Sequence, residues 1–311
     1  MPMRPFRFGA QAGAATSGAA WTEKARRLED IGYSTMFMPD HFGDQLAPVP
    51  ALATAAAVTT TLRVGSLVFD NDYKHPLILA KEAATIDVLS GGRMELGLGA
   101  GWMTTDYEES GIPLDPVGTR IDRMAEGLAV IKGMLAGGPF SYEGRHYRIT
   151  NHTGTPKPVQ QPRLPIMVGG GGKRVLSIAA READIISVNF AMHGGAITRE
   201  ALLTGTSDAT KEKVGWIRDA AGDRFDDIEL GTTVFAATVT EDREQMAEVL
   251  GGGFGMAGED VLATPHALVG SVGQIVEDLQ RRREEYGFSY VVFSGGSEEA
   301  MAAVVAQLAG T

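Results

Sequence analysis

Residues 63–102 read RVGSLVFDNDYKHPLILAKEAATIDVLSGGRMELGLGAGW, and their rhythm decides the fold. Arg63 to Phe69 is a mostly apolar run of strand length, ended by the polar stretch Asp70-Asn71-Asp72-Tyr73. Leu77 to Leu89 follows at helical length, and Ser90-Gly91-Gly92 supplies the turn. Met94 to Leu98 is then a second strand. A strand, a helix and a strand in that order imply two parallel strands joined by a crossover helix.

The same alternation continues in both directions. Upstream, Phe6 to Gln11 reads as a strand, and Ala25, Leu28 and Ile31 fall on one face of a helix closed by Gly32. Thr35 to Pro39 is the next strand, and Ala51 to Thr61 the next helix. Downstream, Arg120 to Leu135 is a helix. Phe140-Ser141-Tyr142 and His146-Tyr147-Arg148 form a hairpin around Glu143-Gly144. Strands over Ile166–Val168, Ile185–Val188, Ile228–Val234 and Tyr290–Phe293 alternate with helices over 174–181, 211–221, 274–286 and 298–308. Two stretches stay irregular. Phe190 to Thr210 reads as a lid or insertion, with His193 lining it, and Gly251 to Gly270 reads as a loop holding His266. Eight strand–helix units predict an α/β fold, a single (β/α)8 TIM barrel spanning residues 1–311 with insertions at its C-terminal face.

Composition agrees and narrows the function. A chain of 311 residues suits a barrel, which typically takes about 250. No cysteine is present, so disulfides, thiolate nucleophiles and cysteine-based metal sites are excluded. The histidines show no metal-ligand spacing, and no metal is expected. A net charge of −11 argues against nucleic acid as a partner. The opening Met1-Pro2-Met3-Arg4-Pro5 leads into a strand with no apolar run of signal-peptide or membrane-spanning length. The expectation is a cytoplasmic protein without a membrane partner.

A barrel keeps its chemistry at the C-terminal ends of the strands. Pro39-Asp40-His41 follows the second strand there. Its position favours a general base or a hydrogen-bonding group at His41 over simple helix capping, with Asp40 to orient the imidazole or bind a cofactor ring. Asp70 follows the third strand, and Gly97-Leu98-Gly99-Ala100-Gly101-Trp102 the fourth. These glycines depart from the G-x-G-x-x-G dinucleotide spacing. They predict backbone passing close to a flat ring, with Ala100, Gly101 and Trp102 beside it. Gly169, Gly170, Gly171 and Gly172 precede a helix, where bare backbone N–H groups and the helix dipole suit a phosphate, and Lys173 and Arg174 add positive charge.

Together these runs resemble the bacterial luciferase-like superfamily of barrel oxidoreductases over nearly the whole chain. The carriers are Met38 to His41, Leu67 to Pro76, Ser90 to Arg93, Leu96 to Trp102, Phe140 to Tyr147 and Val168 to Gly172. The branch most similar uses the deazaflavin coenzyme F420. The resemblance implies a cofactor ring near strands two to four and its phosphate at Gly169–Gly172. It also implies a non-proline cis peptide near Leu67-Val68, against the ring. The cofactor's lactyl-oligoglutamate tail would leave by an open exit lined by Lys173 and Arg174. One departure stands out: where related sugar-phosphate dehydrogenases carry an acidic residue after the strand-four glycines, this chain has Trp102. The expected activity is hydride transfer between the cofactor and a small organic substrate, with His41 handling the proton. The alternatives are an FMN-dependent monooxygenase and a cofactor-binding barrel without turnover. The expected partners are a small-molecule substrate and, compatible with the resemblance, a second copy of the chain as a homodimer.

Overall fold

The computed structural model describes residues 3–192, 195–196 and 198–311. In chain order the first elements are β1 (Arg7–Gln11), α1 (Gly18–Ile31), β2 (Thr35–Met38), α2 (Pro48–Ala57), β3 (Arg63–Ser66), β4 (Phe69–Asp70), α3 (Pro76–Ser90), β5 (Met94–Gly99), α4 (Thr104–Ser110) and α5 (Val117–Leu135). Then come β6 (Pro139–Glu143), β7 (Arg148–Thr153), β8 (Ile166–Gly170), α6 (Lys173–Glu182), β9 (Ile185–Val188), α7 (Arg199–Leu203), α8 (Ser207–Ala221), β10 (Glu229–Val234) and β11 (Ala236–Val239). The chain ends with α9 (Arg243–Phe254), α10 (Gly258–Ala263), β12 (Ala267–Gly270), α11 (Val272–Tyr286), β13 (Phe288–Phe293) and α12 (Ala302–Leu308).

The main sheet has the order β3-β2-β1-β13-β10-β9-β8-β5-β4, and β3 also pairs with β5. β4 continues the course of β3, so this is the strand order of a (β/α)8 barrel. Every residue of β2, β5, β9, β10 and β13 is buried, the pattern of parallel strands covered on both faces.

The chain divides into two compact units. The first comprises residues 13–27 and 35–169. Its strands pair in parallel as Thr35↔Arg63, Val64↔Met94 and Leu96↔Ile166. The Ser90–Arg93 turn serves this architecture: the Arg93 guanidinium donates to the carbonyls of Ala56, Thr59 and Leu62 at the end of α2. A cation there satisfies orphan carbonyls and the helix dipole. Buried Asp87 accepts from the backbone N–H groups of Val159 and Gln160, tying the connector before β8 to α3.

The second unit comprises residues 1–12, 28–34 and 170–311. Phe8 stacks between Phe6 and Phe293, with ring centroids 5.8 and 5.9 Å away. Buried Lys213 donates to the carbonyls of Asn189 and Thr204, pinning both ends of the segment between β9 and α8.

Four expectations are corrected. The strand Arg63–Phe69 is broken into β3 and β4 around a cis Leu67-Val68 peptide. The second hairpin strand begins at Arg148, not His146, because the N–H groups of Arg145, His146 and Tyr147 turn toward the Glu126 carboxylate. The expected lid contains α7 and the start of α8, capped by the Thr198 and Thr206 side chains; His193 lies outside the described residues. The Gly251–Gly270 stretch is largely ordered. α9 runs through Gly251-Gly252-Gly253, and β11 pairs with β12. Ala247, Val261, Ala267 and Val269 form a core there, and packing overrides the low helix propensity of glycine.

Candidate active site

In the first unit the strand ends bring His41 and Trp102 together in one cluster and Asp40 and Asp70 in another, each with residues that sequence reasoning missed. His41 Nδ1 lies 2.6 Å from Asp106 Oδ2. Asp106 also accepts from the Phe42 N–H at 3.2 Å and from the Tyr73 hydroxyl at 3.2 Å. A carboxylate in this place accepts a hydrogen bond from Nδ1–H and fixes the tautomer, which leaves Nε2 as the nitrogen with the lone pair. Trp102 meets the His41 ring edge-on, with centroids 5.7 Å apart. Burial, and then the charges of Asp70 and Asp106, hold the Tyr73 phenol above its ordinary range, so it stays a hydroxyl donor.

Asp40 does not hold the imidazole. Its carboxylate accepts the Asp70 N–H at 3.2 Å, and burial raises its pKa above the ordinary carboxylate value. The orienting partner is Asp106, on α4, a helix the sequence reading left unassigned. Asp106 lies four residues past Trp102, a spacing that no local pattern marks out. An acidic side chain thus stands about one helical turn past Trp102, against the His41 imidazole.

Asp70 is the centre of a second cluster. It accepts from the Tyr107 hydroxyl at 2.8 Å and from the Asp72 N–H at 2.9 Å. Burial, aided by the charges of Asp72 and Asp40, pushes its pKa up to about 7 against those two donors. Arg123 forks onto Asp72 with bonds of 2.7 and 2.9 Å and reaches Asp115 at 2.8 Å. Asp72 is thus neutralised by a cation, whereas Asp70 has only neutral donors within hydrogen-bond reach.

The strand-four glycines have protein neighbours. A side chain at Gly97 would strike the Ser66 carbonyl, and one at Gly99 the Val68 side chain, so both make room for the Leu67-Val68 segment. Gly101 has φ +72°, and a Cβ there would collide with the Tyr107 hydroxyl and the Asp70 carboxylate. Leu67 is buried, while Val68 and Ala100 are partly exposed beside this network. Two of the other histidines make local contacts. His75 caps α3 by accepting the Leu77 N–H. His266 lies, as expected, outside the strands, buried in the turn immediately before β12.

Gly169 and Gly170 end β8, and Gly172 starts α6 with no side-chain cap on its N–H groups. Nothing lies within 4 Å of a Cβ at Gly172, so this helix start is open. Lys173 places its ammonium over the Trp216 ring, 5.7 Å from the centroid. Among the described residues no cluster of three histidine or acidic side chains could hold a metal, and no helix is long and apolar enough to cross a membrane.

A model of luciferase-like monooxygenases matches residues 3–290. A Mycobacterium tuberculosis protein is 32% identical over 194 residues, 55% of this chain and 64% of its own length. The 5,10-methylenetetrahydromethanopterin reductase of Methanopyrus kandleri is 30% identical over 175 residues, 52% of this chain and 49% of its own. An FMNH2-dependent dimethylsulfone monooxygenase of Pseudomonas putida is 27% identical over 197 residues, 62% of this chain and 50% of its own. The chain thus spans less than two thirds of the length of these curated relatives. Among solved structures, the coenzyme F420-dependent tetrahydromethanopterin reductase of Methanopyrus kandleri superposes with a TM-score of 0.77 at 21% identity, over 98% of each chain.

Proposed function

Since the chain belongs to the luciferase-like monooxygenase family, we propose that it is an oxidoreductase using coenzyme F420 to exchange hydride with a small organic substrate. The observation that carries the reading is the His41–Asp106 pair at the strand ends, with Nδ1 held and Nε2 left to work. Such a pair serves a reaction that moves a proton on and off one substrate oxygen.

The residues fit the cofactor. The open, uncapped start of α6 at Gly172 suits a phosphate. On the ring side the candidates are Leu67, Val68, Asp70, Ala100, Gly101 and Trp102, with Asp40 behind the Asp70 backbone. When bound, a deazaflavin supplies a carbon centre that gives or accepts hydride. His41 Nε2 gives or takes the proton at the substrate oxygen, and Asp106 stabilises the imidazolium while it exists. Trp102, edge-on to His41, limits how the imidazole can turn.

The similarity to the Pseudomonas putida monooxygenase supports a second reading, an FMN-dependent monooxygenase. Fluorescence titration of apoprotein with each cofactor separates the two. The expected outcome is micromolar or tighter binding of F420 and clearly weaker binding of FMN. Tight FMN binding with no detectable F420 binding promotes the monooxygenase, and saturable binding of neither removes both.

A further inference from the structure

Three successive strand ends of the first unit converge on one carboxylate. His41 follows β2, Tyr73 follows β4, and Asp106 stands on α4, after β5. Asp106 is only 3% exposed. Its Oδ1 accepts the Phe42 N–H at 3.2 Å. Its Oδ2 serves two donors at once, His41 Nδ1–H at 2.6 Å and the Tyr73 hydroxyl at 3.2 Å. His41 and Tyr73 therefore compete for the lone pairs of a single oxygen.

The rest of Tyr73 is fixed. Its ring lies against Phe42, with centroids 4.5 Å apart, and meets Tyr107 edge-on at 5.5 Å. Its backbone N–H donates to the Asp70 carbonyl at 3.2 Å. Burial, and then the charges of Asp70 and Asp106, keep the phenol protonated. An ionised carboxylate only accepts, so the hydroxyl proton points at Asp106. Each donor that reaches a carboxylate stabilises its anion and lowers its affinity for a further proton. With Tyr73 in place, Asp106 pulls less on the Nδ1 proton. A weaker pull on one ring nitrogen leaves the other less basic.

We propose that Tyr73 tunes this pair: by sharing Asp106 Oδ2 with His41, its hydroxyl lowers the basicity of Nε2 and favours release of the imidazolium proton to the substrate. In that step the Nε2–H bond breaks and the proton passes to the substrate oxygen. The inference rests on His41 as the acid–base group. Tyr73 acts through Asp106 and is therefore a positioning residue. The other charged groups bearing on this corner are Asp40, which feels both His41 and Asp106, and Lys74, which acts on Asp40. Asp40 is held by the Asp70 N–H and Lys74 by Glu82, so removing the Tyr73 hydroxyl leaves both in place.

The test is Tyr73→Phe, which deletes the hydroxyl and keeps the ring on Phe42 and Tyr107. Parent and variant, full length and without cofactor, are titrated with acid while the His41 ring nitrogens are followed by long-range 1H–15N NMR. The midpoint should lie about half a pH unit higher in Tyr73→Phe, the size expected when a carboxylate loses one long hydrogen bond. Replacing Tyr73 by 3-fluorotyrosine, whose more acidic phenol is the stronger donor, should move the midpoint the other way. In turnover, the pH profile of kcat/KM should shift with the same sign in each variant, with cofactor affinity unchanged. A purely structural Tyr73 would leave the midpoint where it is in both variants. Coincident midpoints in parent and Tyr73→Phe overturn the proposal and leave His41 as the acid–base group. A midpoint that moves while His41→Ala keeps full activity upholds the tuning of the pair and overturns only the functional reading beneath it.

Discussion

At the residue scale the Asp106 and Asp70 carboxylates sit in different environments, one against the His41 imidazole and one among neutral donors. His41→Ala should lower kcat by about 100-fold or more, as for lost acid–base help, while cofactor affinity changes little; steady-state kinetics beside the fluorescence titration measures both. Asp106→Asn should produce a drop of comparable size with His41 still present, because the amide no longer favours the proton on Nδ1. Full activity in either variant removes that residue from the mechanism. Asp70 gives a prediction of the opposite kind. Its pKa is about 7 when folded and 3.8 when unperturbed. Between those values the folded protein holds a proton that the unfolded chain has released, so stability falls as pH rises through this window. Asp70→Asn keeps the shape and loses the titration. In urea denaturation it should match the parent near pH 4 and exceed it near pH 8 by on the order of 1–3 kcal/mol. Equal stability of the two proteins at both pH values would show that Asp70 does not carry the buried charge. His41 was legible in the sequence because a strand end in a barrel is a functional address. Asp106 was not, because it reaches the imidazole only through a short helix whose direction no local pattern reveals.

At the scale of elements, the order of strands and helices was legible because parallel strands buried on both faces read as apolar runs and each crossover helix carries its own period. The Leu67–Val68 break was not legible from periodicity, since both flanking pieces stay apolar; it came only with the family resemblance. The α9–β12 region hid for another reason: three glycines in a row look like a loop, and the packing of Ala247 and Val261 that keeps them helical is non-local. Gly97 and Gly99 were read for a ligand, yet they accommodate protein. The glycine that tests the ligand best is Gly172. Its neighbour Gly170 is a poorer site for substitution, since a Cβ there would sit 2.6 Å from the Val175 side chain. Gly172→Asp meets open space and places a carboxylate at the start of α6. Aspartate is a good helix N-cap, worth up to a few tenths of a kcal/mol over glycine. Thermal stability should therefore hold or rise slightly, while affinity for a phosphate-bearing cofactor falls by about tenfold or more through displaced N–H donors and like-charge repulsion. Unchanged affinity in the folded variant would place the phosphate elsewhere.

At the scale of the whole molecule, charge and the proposed ligand pull in opposite directions. The chain carries a net charge of −11, whereas the tail of coenzyme F420 is a string of glutamates. The cations expected to favour that tail are Lys173 and Arg174, both exposed, with Lys173 drawn over Trp216. Range decides between the two influences. At about 10 mM salt the Debye length is about 30 Å, so an approaching anion feels the summed charge of the protein; at about 100 mM it is about 10 Å, and only nearby groups count. Raising the salt across this interval should speed association of F420 by several-fold, because distant repulsion is screened first. The dissociation rate, set by contacts already made, should change less. Lys173→Ala should then slow association more at the higher salt than at the lower, where its single charge is a small part of the total. Stopped-flow fluorescence at the two salt concentrations reads both rates. An association rate that falls with salt would show that the local cations outweigh the acidic remainder even at long range. The tail would then be recognised by a basic exit strong enough to steer it.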